Sequence, residues 1–179
     1  MNLRKNKQSL SRRNSGFTLI ELLVVIAVLG VLAVVVITAI NPFQQLAKAR
    51  DAGRISVVAQ LGRAAVSLAT NNGGTYPTAN STWITSLQTA GEINIIPASI
   101  AYSIAGISAC TTNVQNLVCY KTSAVTGPAI VYATLEALSN TSRCPANQSA
   151  WAVFSSADGR AGIVCSATEP AAGSQTFLP

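Results

Sequence analysis

The sequence predicts an α+β protein: a long N-terminal helix, membrane-spanning in its first half, whose C-terminal half packs on a small antiparallel β-sheet. Three observations predict it. An apolar run extends from Phe17 to Ile40 with Glu21 as its single charge. Behind it, residues 43–71 repeat small and apolar side chains at three- and four-residue steps, the period of an amphipathic helix. Beyond Gly74 that period gives way to short apolar runs separated by turn residues.

Composition narrows the function classes. The chain has 179 residues, 49% of them hydrophobic and 10% charged, where a soluble domain carries about 25% charged residues. The length suits one ordinary domain with an appended segment. Of the twelve Lys and Arg residues, Arg4, Lys5, Lys7, Arg12 and Arg13 precede Gly16 and no acid does, leaving seven basic and six acidic residues after it. The basicity therefore reads as a topology signal and not as a footprint for phosphate, so nucleic acid is not an expected partner. Histidine is absent, which removes the commonest general base and metal ligand and excludes Ser/His/Asp and Cys/His catalysis.

The elements follow in order. Residues 1–16 are polar and basic and read as a leader. The run from Phe17 is long enough to cross a bilayer, which needs about 20 residues. A secretory signal peptide has an apolar core of about 7–15 residues ending in a small-x-small site; this run is longer and ends Ile37-Thr38-Ala39-Ile40-Asn41, so a retained membrane helix is expected. Pro42 removes a backbone donor and predicts a kink or local melting near residues 37–42. Over residues 43–71, Ile55, Val58, Gly62, Ala65, Leu68 and Ala69 mark one helix face. Lys48, Asp51, Arg54 and Arg63 are assigned to others, with Asp51 and Arg54 a weak surface pair. Asn71-Asn72-Gly73-Gly74 ends this helix. Trp83 to Leu87 predicts a short helix. Residues 100–107, 117–122, 151–154 and 163–165 predict strands, and 130–138 is ambiguous between strand and helix. Ser155 to Arg160, with Asp158-Gly159, predicts a hairpin turn, and the tail from Ser166 is expected to be irregular.

The informative stretch is Gly16-Phe17-Thr18-Leu19-Ile20-Glu21-Leu22-Leu23-Val24-Val25-Ile26. A basic leader ends in glycine, an aromatic residue follows, and a carboxylate sits in an apolar membrane helix. An ionised carboxylate in lipid costs several kcal/mol and needs a partner. Cleavage after Gly16 would supply one, the new α-ammonium of Phe17 on a staggered neighbouring copy. This stretch strongly resembles the class III signal of type IV prepilins and pseudopilins. The resemblance implies a pilin-like fold, cleavage after Gly16 by a prepilin peptidase, N-methylation of Phe17, and Glu21 as the assembly carboxylate. Ala49-Arg50-Asp51-Ala52 and Asn72-Gly73-Gly74-Thr75-Tyr76-Pro77 also resemble the major pseudopilins of type II secretion and competence-like systems. In many family members proline stands where this chain has Thr38; here it comes later, at Pro42.

That resemblance implies three parts: a leader over 1–16, a transmembrane and polymerisation helix over 17–42, and an extracytoplasmic globular domain over 43–179. It implies a helical homo-oligomeric filament of a type IV pilus or type II secretion pseudopilus. The implied partners are the prepilin peptidase, an inner-membrane assembly platform and, indirectly, an assembly ATPase. The implied location is the cytoplasmic membrane, N-terminus inside, and a surface or periplasmic filament after assembly. A DNA-uptake or adhesive pilin is the alternative; clustered free cations around Arg143 and Arg160 would favour its DNA-binding form.

Cys110, Cys119, Cys144 and Cys165 all follow the membrane run and allow three pairings. Cys110 with Cys119 and Cys144 with Cys165, the pairing local in sequence, is the working expectation, against the other two pairings or four free thiols. No CxxC spacing is present, so neither zinc nor another metal, and no cofactor, is expected. Asp51, Glu92, Glu136, Asp158 and Glu169 show no spacing that reads as a catalytic set, and Asp158 is read as a turn residue, not a calcium ligand. Trp83, Tyr102, Tyr120 and Trp151 are read as packing residues. The chain is not expected to be an enzyme.

Overall fold

The computed structural model describes residues 16–179; the leader residues Arg4, Lys5, Lys7, Arg12 and Arg13 lie outside them. The chain divides at Asn41–Pro42 into two compact units.

The first unit contains helix α1, Leu19–Ile40, in which no residue is buried. It starts at Leu19, not at Phe17, because the Thr18 side chain caps it, and it ends on Asn41, whose φ of 48° is left-handed. Residues 37–40 remain helical, and the Thr38 hydroxyl donates to the carbonyl oxygens of Val34 (3.2 Å) and Val35 (2.9 Å).

The second unit opens with α2, Pro42–Asn71. Proline as first residue explains the break: its missing N–H costs nothing in the first turn and its fixed φ suits a helix start. The interruption expected at Pro42 thus takes the form of two helices separated by one residue, Asn41. α2 buries Ala47, Asp51, Arg54, Val58, Leu61, Gly62, Ala65 and Ala69, a stripe of three- and four-residue steps, together with Ala64 beside it. Gly74 N–H donates to Ala69 O (2.7 Å) and closes the helix end.

Short helix α3, Trp83–Thr89, buries Trp83, Ile84 and Leu87. Then come β1 (Cys119–Thr122), β2 (Ala129–Thr134), one turn of helix α4 (Leu138–Thr141), β3 (Ser149–Ser155) and β4 (Arg160–Ser166). The strands form one antiparallel sheet in the order β1-β2-β3-β4. The ambiguous residues 130–138 thus resolve into β2, an extended link and α4. The β3–β4 turn carries Gly159 at φ +64°, the left-handed position that Asp-Gly provides.

Alternation along the strands gives the sheet two covered faces. Tyr120, Val131, Ala133, Ala150, Ala152 and Phe154 face α2 and α3 in the main core. Trp83 stacks on Tyr120 with ring centroids 4.9 Å apart. α2 can lie close because Gly62 meets Phe154: a Cβ there would fall 2.1 Å from Phe154 Cγ. Cys119, Ile130, Tyr132, Trp151, Val153 and Val164 form a smaller core on the opposite face, under Cys110, Val114 and Phe177.

Residues 100–107 are not the strand that their apolar content predicts. Their backbone groups bond to buried side chains and not to a neighbouring strand: Ile100 O and Ala101 O accept from Arg54, and the Ser103 and Ile104 N–H groups donate to Glu136. The tail after Ser166 is irregular until Phe177, which bridges to Val164, and the Leu178 N–H donates to Ile163 O (2.8 Å) along the outer edge of β4.

Candidate functional site

The N-terminal stretch builds a small polar device at the head of an apolar helix. Gly16 and Phe17 are exposed and precede the helix in irregular backbone. Thr18 is the N-cap and Glu21 the third helical residue, and the two satisfy each other. Glu21 N–H donates to Thr18 Oγ1 (3.2 Å), while the Thr18 N–H (2.9 Å) and hydroxyl (3.0 Å) donate to Glu21 Oε2. This capping box fixes a carboxylate beside the positive end of the helix dipole. Both Thr18 bonds use one oxygen, and a carboxylate accepts through both, so capping does not exhaust its capacity. Downstream, α1 offers Leu, Val, Ile and Ala on every face, and all of its large side chains are exposed. It is long and apolar enough to cross a membrane.

The family model for the prokaryotic N-terminal methylation motif matches residues 11–37, which include Gly16, Phe17, Thr18, Glu21 and most of α1. The chain carries the type IV pilin and pseudopilin signature. No curated protein and no solved structure matches it. The methylation motif is the kind that type IV pilin and pseudopilin precursors carry at their N-termini. Together with the apolar helix α1, it is consistent with membrane anchoring.

Beyond the motif, the second unit places the remaining candidates. Cys110 is bonded to Cys119 and Cys144 to Cys165, and the described residues include no free cysteine. The two bridges lie on opposite faces of the sheet, the first beside the Tyr132–Trp151 core and the second on the side facing α2. Trp83, Tyr120 and Trp151 are buried packing residues. No group of three or more His, Cys, Asp or Glu suited to a metal occurs among the described residues. The Asp158 carboxylate accepts from the Gln175 N–H (2.8 Å) and ties the tail to the β3–β4 turn. Arg143 donates to Pro179 O (2.5 Å) and Arg160 lies 4.3 Å from the Phe177 ring centroid, so both cations are turned onto the tail.

A buried ionic cluster corrects the surface assignment of Asp51 and Arg54. They are 0% and 3% exposed and pair at 2.8 Å, and Arg54 also reaches Glu136 at 3.1 Å. Arg50 joins through Nε to Glu136 Oε1 at 2.6 Å and through its guanidinium to Ser103 Oγ. Two cations face two anions. The Asp51 carboxylate takes the N–H groups of Glu136 and Ala137 and the Asn140 amide. The Arg54 guanidinium lies 3.9 Å from the Tyr102 ring centroid. Burial opposes the charge of Glu136, but the Arg50 bond, the Ser103 and Ile104 N–H groups and Arg54 outweigh it and hold its pKa down at about 2. The cluster ties α2 to segment 100–104 and to the link before α4. The signal was present in the spacing, since Ala47, Asp51, Arg54 and Val58 follow one helical stripe.

A second carboxylate, Glu169, organises the far face. It accepts from the Thr111 N–H, the Thr111 and Thr112 hydroxyls and the Tyr132 hydroxyl, and pairs with Lys121 at 3.1 Å. Burial again opposes its charge, and these donors, with Thr112 foremost, hold its pKa down at about 2. The Tyr132 hydroxyl is pushed upward, first by burial and then by donating to this carboxylate.

Proposed function

We propose that the chain is the precursor of a structural subunit of a type IV pilus or type II secretion pseudopilus. A prepilin peptidase cleaves it after Gly16 and N-methylates Phe17, and the mature subunit joins a helical filament of identical copies. The observation that carries this reading is the joining of an exposed Gly16-Phe17 step to a capped, wholly unburied apolar helix with Glu21 in its first turn. Residues 1–16 are the leader, 17–42 the membrane and polymerisation segment, and 43–179 the extracytoplasmic domain. An inner-membrane platform and an assembly ATPase extract the subunit from the lipid.

The chemistry proposed for Glu21 is electrostatic. Cleavage turns the Phe17 nitrogen into an α-ammonium, a cation that lipid tolerates poorly alone. In a staggered bundle the ammonium of one copy meets the Glu21 carboxylate of another, neutralising both and setting the axial step. Within the single subunit, the capping box holds that carboxylate at the head of the helix.

Intact-mass and N-terminal analysis of membrane-extracted protein tests the reading. The expected product begins at Phe17 and carries one added methyl group, and Gly16→Val leaves the leader attached. Mature protein still carrying Arg12 and Arg13 would overturn it.

A further inference from the structure

Loops 106–111 and 167–169 border an open cavity of about 320 Å³ on the second face of the sheet. Its walls are cross-linked. The Cys110–Cys119 bridge ties the first loop to β1, and Glu169 in the second loop binds Thr111 at the end of the first and Thr112 just beyond it. Thr134 and Trp151, cross-strand partners in β2 and β3, contribute to its lining. Thr134 is 5% exposed, and its hydroxyl is itself shielded from solvent and has no hydrogen-bond partner among the described residues. The Trp151 indole N–H is already given to Ser166 O (3.2 Å), which leaves the ring to act as apolar surface. Ser108, Ser149 and Thr168 bring further hydroxyl groups to the lining.

The lining selects a chemistry. Glu169 is its only ionisable residue, and that charge is matched by Lys121, so neither an anion nor a cation finds a free countercharge. A wholly apolar ligand would strip water from hydroxyls that then lack partners, which costs free energy for each. A compact ring bearing several hydroxyls satisfies the walls and sets its C–H face against an aromatic ring, and the volume lies at the lower end of small-molecule sites. Because the walls are cross-linked before binding, little ordering cost remains. We propose that this cavity is a binding site for a neutral, hydroxyl-rich ligand of monosaccharide size. The site belongs to the Pro42–Pro179 unit and does not depend on the filament reading.

The test is an NMR titration of the isotope-labelled full chain in micelles of a detergent without a sugar headgroup. The probes are D-glucose, D-galactose, N-acetyl-D-glucosamine, glycerol and D-glucuronate. Saturable shifts are expected at the Trp151 indole and at the Thr134 and Ser149 amides with at least one neutral sugar at millimolar concentration, and not with glycerol. Ser149→Ala, which removes a hydroxyl from the lining, is expected to weaken that sugar about tenfold. Thr168→Tyr, at an exposed rim position, should abolish binding with the unfolding midpoint unchanged, and it decides the matter if the alanine variant folds poorly. Absence of saturable shifts with every neutral sugar, glucuronate binding more tightly than they do, or wild-type affinity in Thr168→Tyr would each overturn the proposal and leave a water-filled void.

Discussion

Two consecutive helices treat their side chains in opposite ways. α1 has 22 residues and buries none, although nearly all are apolar. α2 has 30 residues and buries nine, among them a full acid–base pair. The described residues bury none of the apolar surface of α1, which is the surface that the proposed membrane and filament roles would use. α2 has already met its partner, the sheet. The charges differ in the same way. Glu21 sits at the open head of α1, capped by one neighbour, whereas Asp51 and Arg54 are locked in a neutral cluster with Arg50 and Glu136. The buried charges of α2 thus serve folding, and the charge in α1 is the one we propose for association.

This contrast can be broken or sharpened by experiment. The largest effect is expected from Arg54→Met, which leaves Asp51 and Glu136 buried with Arg50 alone. Removing one partner of a buried pair costs about 3–5 kcal/mol, to be read as a loss of unfolding free energy in denaturant. A change under about 1 kcal/mol, within the range of a surface pair, would show that the cluster is solvated in solution.

Acid should reach the same cluster more gently. The folded-state pKa of Glu136, at about 2, lies below its ordinary value of 4.5, so its ionised form stabilises the fold above that ordinary value. The contribution disappears as pH falls through the window from 4.5 to about 2, where on the order of 3 kcal/mol is lost. Glu169 adds a loss of the same sign in the same window. Unfolding midpoints measured across this range should fall steadily, and Glu136→Gln should flatten part of the fall. A midpoint that stayed constant down to the lower limit would refute the linkage.

Glycine offers a matched pair. Gly62→Ala drives a methyl group into Phe154 and should destabilise by about 1–3 kcal/mol. Gly30→Ala in α1 meets nothing within 4 Å and should leave the single subunit unchanged or stabilise its helix by up to about 1 kcal/mol. Loss of filaments in Gly30→Ala, with normal subunit levels, would locate a close helix contact between copies.

The smallest effect on the fold is expected at Glu21, where the filament reading makes the largest demand. Glu21→Gln keeps a residue able to form the capping box but removes the charge. It should leave the unfolding midpoint and cleavage after Gly16 unaltered while sheared filaments become few or absent. Glu21→Ala should behave alike, with more fraying of the first turn. Wild-type filament yield from either variant, without wild-type subunit present, ends the assembly role.

Much of this architecture is legible in the residues themselves. The 17–40 run, the helical period behind it and the Asp158-Gly159 turn each answer to a local rule, and each led to an element close to the one observed. The misreadings share one cause. Charge alone assigns Asp51 and Arg54 outward, although their spacing from Ala47 and Val58 sets them on the buried stripe. Their partner Glu136 lies more than eighty residues away in the chain, and no local pattern announces it. The same distant partnership explains residues 100–107, whose backbone is held by Arg54 and Glu136 and not by a strand. Glu169 was invisible for a similar reason, because its role rests on a loop that a disulfide brings beneath it. At the N-terminus, Glu21 could be singled out from sequence because its neighbours in the chain are also its neighbours in space.

The return of Phe177 and Leu178 along β4 has a consequence for crowding. An outer strand with unpaired N–H and C=O groups is a template on which another molecule can add its own strand. Here the Leu178 N–H already occupies Ile163 O and Phe177 lies across Gly162, while the opposite edge, β1, is only four residues long. Both margins of the sheet offer little for sheet-to-sheet adhesion. In the proposed filament, copies of the domain could then stand shoulder to shoulder at very high local concentration without fusing through their strands, leaving adhesion to the apolar helix.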